Sequence, residues 1–183
     1  MTKSLPSGIE FAMKIRPFFL TLSLALGLCP VASALQPGDL APSFSLRDSQ
    51  GKNFFLSAHL GKQQKGHTKG LILNFFASSC RPCRRELPVL NALVDEFKPQ
   101  GIQVAIIGYR EDFDQFTDLL AELGVESPTI LSDKYGKVGE RYGVRFLPTT
   151  FFISSDGRVK DILRGELPNI EQALRQRAAE LSK

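Results

Sequence analysis

From Gly70 to Ala77 the chain runs Gly-Leu-Ile-Leu-Asn-Phe-Phe-Ala with a single polar interruption. A short apolar run of this kind predicts a strand covered on both faces. The pattern then changes period. Leu87, Leu90, Leu93, Val94 and Phe97 recur three and four apart, which predicts an amphipathic helix over Arg84–Phe97, with Pro88 inside it as a kink. A second buried strand is expected over Gln103–Gly108. A second helix is expected over Glu111–Leu123, with Phe113, Phe116, Leu119, Leu120 and Leu123 on one face and Gly124 as its stop. Pro128–Leu131 reads as a short extended piece and Asp133–Tyr142 as a short helix or turn. Thr149–Ile153 is β-branched and aromatic, Asp156-Gly157 is a hairpin signal, and Arg158–Leu163 returns as its partner. Ile170, Leu174, Ala178 and Leu181 mark a last helix within Pro168–Leu181. Upstream of Gly70, two short strands are expected at Pro42–Leu46 and Phe54–Leu56, joined by the turn Asp48–Lys52 and followed by a helical turn at Ser57–Leu60. Residues 61–70 form a polar, Lys-rich loop. Helices alternating with buried strands imply an α/β fold with a parallel centre and right-handed crossovers, and the Asp-Gly hairpin adds an antiparallel edge.

The first 34 residues do not fit this pattern. Lys14 and Arg16 precede an apolar run from Phe18 to Leu28, then Pro30 and the small residues Ala32-Ser33-Ala34. This is the layout of an export signal, with cleavage expected after Ala34 and a single domain over 35–183. The alternative is retention as a membrane anchor, although the run is short of the roughly 20 apolar residues of a span. Met13-Lys14-Ile15-Arg16 would make a more ordinary signal start than Met1. Leu26-Gly27-Leu28-Cys29 loosely matches a lipid-attachment box, but Leu28 is larger than such a box favours just before its cysteine. An apolar cysteine inside the hydrophobic segment is the simpler reading.

Composition narrows the function classes. The formal net charge is +4 over 183 residues, and removing Lys3, Glu10, Lys14 and Arg16 with the leader halves that surplus. No basic stripe with interleaved aromatics accompanies it, so nucleic-acid binding has no support. Fourteen Phe and no Trp predict a core rich in Phe and Leu. Beyond the leader only two cysteines remain, Cys80 and Cys83. A domain of this size does not need a disulfide staple, which leaves the pair free for exchange chemistry.

Cys80-Arg81-Pro82-Cys83 falls between the apolar strand and the first long helix. A cysteine at a helix N-terminus meets unpaired N–H groups and the positive end of the helix dipole, which stabilise a thiolate. Arg81, Arg84 and Arg85 add positive charge. Cys80 is then the attacking thiol and Cys83, one turn in and expected to be buried, the resolving thiol. Three other readings stay open on residues alone. Half a zinc site would need further ligands, and only His59 and His67 are available, both in or near the polar loop. An inert structural disulfide would not call for basic neighbours. A covalent haem motif would need His where Arg84 stands. Both histidines read as plain surface residues.

Phe75-Phe76-Ala77-Ser78-Ser79-Cys80-Arg81-Pro82-Cys83-Arg84-Arg85-Glu86-Leu87-Pro88, with Phe146-Leu147-Pro148-Thr149-Thr150-Phe151-Phe152-Ile153 and Asp156-Gly157 far downstream, resembles the extracytoplasmic thioredoxin-like oxidoreductases of the TlpA, ResA and DsbE branch. The resemblance covers roughly Pro37 to the C-terminus. It implies a thioredoxin fold with an N-terminal strand extension, an added segment before the third core strand or its helix, and a mixed central sheet flanked by helices. It also implies a catalytic set of Cys80 as nucleophile, Cys83 as resolving thiol, Glu86 as an acidic residue that tunes or relays protons, and Pro148 as the cis-proline beside the disulfide. Leu147, Arg81 and Pro82 would contact substrate, and Pro88 would shape the helix. Asn74 stands where general thioredoxins place a buried aspartate, which sets the chain apart from the cytosolic group. Ser79 replaces the Trp that commonly precedes the first cysteine.

The function this resemblance implies is reduction of disulfides in exported proteins, among them apocytochrome c or copper-site cysteines, with no cofactor beyond the Cys80–Cys83 pair. The reductant would be a membrane electron donor of the DsbD or CcdA type, and the location the periplasm or the outer face of the inner membrane. Two other functions use the same residues: a periplasmic disulfide oxidant, and a haem or copper assembly factor that binds its client. A thiol peroxidase is disfavoured, because no Pro-x-x-x-Thr-x-x-Cys run ends at Cys80.

Overall fold

The computed structural model describes residues 1–2, 34–61 and 68–182. The chain divides into two units, Met1–Val31 and Ala32–Lys183, and every described element belongs to the second. The basic–apolar leader with Met13 and Cys29, and the loop residues around His67, lie outside the described residues.

The elements are β1 (Ser45–Asp48), β2 (Asn53–Phe55), α1 (Leu56–His59), β3 (Gly70–Phe76), α2 (Arg81–Phe97), β4 (Ile102–Tyr109), α3 (Phe113–Glu122), β5 (Thr129–Asp133), α4 (Lys137–Arg141), β6 (Thr149–Ser154), β7 (Val159–Arg164) and α5 (Ile170–Leu181). One sheet has the order β2-β1-β5-β4-β3-β6-β7. β3, β4 and β5 are parallel, whereas β6 runs antiparallel to β3 and β7 antiparallel to β6. The early strands β1 and β2 form an antiparallel pair that docks on β5. This is a thioredoxin fold: β3-α2-β4 and β6-β7-α5 form its two halves, and α3 with β5 is added between them. The N-terminal strands extend the sheet past β5.

Alternation along β3 divides the core. Ile72 and Phe76 point to the side covered by α2, α3 and α5, with Leu90, Phe97, Phe116, Phe152 and Leu174. Leu71, Leu73 and Phe75 point to the other side, with Tyr142, Phe151, Phe44 and Phe54. All seven residues of β3 are buried, which is why its sequence is nearly continuous in apolar residues. Asn74 shares the α2 face with Ile72 and Phe76 because side chains two apart point the same way.

Several boundaries differ from expectation. α2 begins at Arg81, three residues before the expected start at Arg84, and continues across Pro88. β1 begins at Ser45, so the buried Phe44 precedes the ladder although it belongs to the alternation. The hairpin between β6 and β7 turns where expected, with Gly157 at φ 83°, where a side chain would be strained. His59 is not a plain surface residue. Its ring stacks on Phe54 at 4.2 Å, and its Nδ1 lies 2.6 Å from Gln103 Oε1.

Candidate active site: a disulfide at the head of α2

β3 delivers the chain to Ala77-Ser78-Ser79, and Cys80 then caps α2. Its backbone is extended (φ −81°, ψ 104°), as a cap requires, and its Sγ accepts the N–H of Cys83 at 3.2 Å. Pro82 sits in the first turn, where its missing N–H would have had no helical partner. The cap donor at the helix start is therefore directed onto the Cys80 sulfur. Cys80 and Cys83 are joined as a disulfide with Cα atoms 5.3 Å apart. Cys80 is half-buried, and Cys83 is fully buried in the α2-side core.

The second loop reaches the site from β6. Thr149 pairs with Phe75 and Thr150 with Asn74, so the start of β6 lies beside the end of β3. Leu147-Pro148 is a cis peptide, and Pro148 is buried. The Pro148 carbonyl accepts the N–H of Gly165 at 2.8 Å, and the Phe146 carbonyl accepts Thr149 Oγ1 at 2.7 Å. Leu147 lies just outside the sheet ladder, packed against both halves of the core, and Phe146 before it is 66% exposed.

Glu86, one turn past Cys83, is buried. Its Oε1 accepts Asn74 Nδ2 at 2.9 Å and Thr150 Oγ1 at 3.0 Å, and Asn74 Nδ2 also donates to Thr150 Oγ1 at 2.8 Å. Asn74 Oδ1 is buried with no partner. Burial disfavours the carboxylate and raises the Glu86 pKa from an ordinary 4.5 to about 7, with the Thr150 hydroxyl opposing the shift. The group thus titrates near neutral pH inside the protein, where carboxylates rarely do.

The three arginines are not equivalent. Arg84 Nη2 pairs with Glu122 at 2.7 Å, and Arg85 makes a two-pronged pair with Glu166 at 2.6 and 2.7 Å. Arg81 is exposed and has no ion pair among the described residues. Two of the three charges expected to favour a thiolate are thus neutralised by acids far along the chain. Pro82 is half-buried next to Arg81.

Two further residues bear on the site without having been foreseen. Thr150 reaches Glu86 from β6; it lies in the run that carries the family resemblance, but nothing in the sequence assigns it this contact. Glu111, also buried, accepts both the N–H (2.8 Å) and the hydroxyl (2.6 Å) of Ser78 and so holds the loop that presents Cys80. Nothing in the sequence announces that contact. Among the described residues no His, Cys, Asp and Glu cluster is arranged to hold a metal ion.

A buried thiol and a half-exposed thiol, joined at the head of a helix in a thioredoxin fold, define a thiol-disulfide oxidoreductase. Comparison with known proteins agrees. The chain is 33% identical over 135 residues to the thiol-disulfide oxidoreductase ResA of Geobacillus thermodenitrificans, covering 74% of this chain and 73% of that one. It is 32% identical over 134 residues to ResA of Bacillus subtilis, covering 73% and 70%. A candidate thiol:disulfide interchange protein DsbE from Chlorobium tepidum superimposes with a TM-score of 0.72 at 30% identity, over 82% of this chain and all of that one. The model of the AhpC/TSA family matches residues 37–162. The chain belongs to that family and, within it, to the TlpA/ResA/DsbE-like thioredoxin-fold oxidoreductases. Leu73 and Ala77 stand where a peroxidase motif ending at Cys80 would need Pro and Thr.

Proposed function

We propose that this oxidoreductase works as a reductant of exported proteins. The observation that carries the direction is the buried Glu86 carboxyl, one helical turn past Cys83, together with the ion-paired Arg84 and Arg85. Strong oxidants of this class owe their potential to a stabilised reduced form, which means a stabilised thiolate. Here the nearby carboxylate and the loss of two cationic neighbours withhold much of that stabilisation, which favours the disulfide in the protein and the dithiol in the client.

In the catalytic cycle the Cys80 thiolate attacks one sulfur of a client disulfide. An S–S bond forms between Cys80 and the client, and the other client sulfur leaves as a thiolate. Glu86 accepts the Cys83 proton, and the Cys83 thiolate attacks Cys80 Sγ. The second client sulfur is released, both client thiolates take up protons, and two electrons have passed from the protein to the client. Leu147 and Pro148 supply the backbone against which an extended client segment lies, with Arg81 and Pro82 on the opposite rim. The Cys80–Cys83 disulfide is then reduced by a membrane dithiol donor of the DsbD or CcdA type. Residues 1–34, read as an export leader, support a location in the periplasm or at the outer face of the inner membrane. Client cysteines of apocytochrome c or of a copper site fit this role.

Trapping tests the proposal. C83A removes the resolving thiol and preserves the Cys80–client bond. The expected result is a set of thiol-cleavable adducts with exported proteins, enriched in Cys-x-x-Cys-His or copper-ligand segments. Adducts with cytoplasmic proteins alone would contradict it.

A further inference from the structure

Where β4 ends at Tyr109 and the chain approaches β6 through Arg145 lies a cavity of about 640 Å³ that the exchange chemistry does not use. Its walls include Tyr109, Arg110, Glu140, Arg141, Val144 and Arg145. Two of its wall residues, Arg110 and Arg145, are close in sequence to residues of the site. Arg110 precedes Glu111, which grips Ser78 two residues before Cys80. Arg145 precedes Phe146, Leu147 and the cis-linked Pro148.

The lining is cationic. Three guanidinium groups meet one carboxylate, and that carboxylate is already engaged: Glu140 pairs with Arg110 at 3.3 Å and with Lys137 at 3.2 Å. Arg141 donates to the Ser43 carbonyl at 3.0 Å. Arg145 is exposed and makes no hydrogen bond or ion pair among the described residues. Arg110 has φ 60°, the left-handed region that residues other than glycine seldom enter, and its guanidinium lies 5.2 Å from the centroid of the Tyr109 ring. Backbone of this kind concentrates at binding sites, where the surrounding structure holds it.

We propose that this cavity receives acidic side chains of the client, so that the enzyme prefers disulfides flanked by Asp or Glu. The proposal rests on the reductase reading above. A client segment laid along Leu147 would pass the exposed Phe146 and then Arg145, so residues near the attacked cysteine meet an apolar ring first and an unpaired guanidinium next. Arg81, next to Cys80 at the head of α2, exposed and likewise without an ion pair among the described residues, adds charge of the same sign. A carboxylate is the group that a guanidinium recognises by paired hydrogen bonds as well as by charge.

The test measures reduction by the full-length, pre-reduced protein of two disulfide-bonded peptides that differ only in Glu or Lys beside the cysteines, with bis(2-hydroxyethyl) disulfide as a small uncharged substrate. The expected second-order rate for the Glu peptide exceeds that for the Lys peptide about fivefold or more at low salt, and the ratio shrinks as salt is added. R145E brings the ratio to about one or inverts it, and R145Q falls between. Equal rates for the two peptides with the wild-type protein, or an unchanged ratio in R145E, would overturn the proposal while reduction of the small disulfide left the reductase reading standing. Failure to reduce the small disulfide would overturn that reading, and this proposal with it.

Discussion

Replacing Glu86 by Gln removes an ionisable group and keeps an oxygen that can accept from Thr150 and Asn74. The wild-type carboxyl titrates at about 7 in the folded protein and at 4.5 when ordinary and solvated. Between those values the folded state binds more protons than the unfolded one, so stability falls as pH rises. The penalty is absent below pH 4.5, accumulates through pH 7 and is complete above it. The displacement corresponds to about 3 kcal/mol in total, of which about 2 kcal/mol or somewhat more falls between pH 5 and pH 8. Relative to wild type, E86Q should therefore gain about that amount of stability across this interval. Urea denaturation of the oxidised proteins at pH 5, 6, 7 and 8 measures it. Taking the difference between the two proteins cancels every other titrating group. A difference that stays constant from pH 5 to pH 8 would refute the claim that Glu86 is a buried acid titrating near neutrality.

Thr150→Val removes the hydroxyl that opposes the Glu86 shift, so the Glu86 pKa should rise further, as read by carboxyl-carbon NMR, and stability above pH 7 should drop by about 1–2 kcal/mol. E86Q should also slow the resolving step, so the pH dependence of Cys80 alkylation and of mixed-disulfide resolution should differ between the two proteins; superimposable curves would remove Glu86 from proton transfer. Leu90→Ala empties a fully buried position on α2 and should cost about 2–5 kcal/mol in chemical denaturation while leaving the sulfur chemistry of the folded protein intact.

Much of this fold is legible in the sequence because burial writes a period into it. β3 is covered on both faces and shows as a continuous apolar run, and α2 buries one face and shows as Leu87, Leu90, Leu93 and Phe97. The true start of α2 is not visible in that pattern, because its first turn is specified by capping and by Pro82 rather than by apolar spacing. Phe44 belongs to the core but precedes the ladder, since a side chain can be buried before hydrogen bonding begins. At the site, Cys80 and Cys83 stand out by type and spacing, and Glu86 and Pro148 through the family resemblance. Their partners do not. Thr150 meets Glu86 only because β6 lies against β3 in one register, and Glu111 meets Ser78 across the β4–α3 connection. The pairing of Arg84 and Arg85 with Glu122 and Glu166 spans the domain as well, so the charge beside Cys80 is lower than the local sequence suggests.

The reduction potential of the Cys80–Cys83 pair tests the central claim most directly. Equilibrating the protein with dithiothreitol or glutathione couples at pH 7 and quantifying free thiols gives the midpoint. A value near or below that of thioredoxin, about −270 mV, is what a client reductant with a buried carboxyl one helical turn from its resolving thiol should show. A value near the −120 mV typical of a strong periplasmic oxidant, on the order of 150 mV higher, would contradict it.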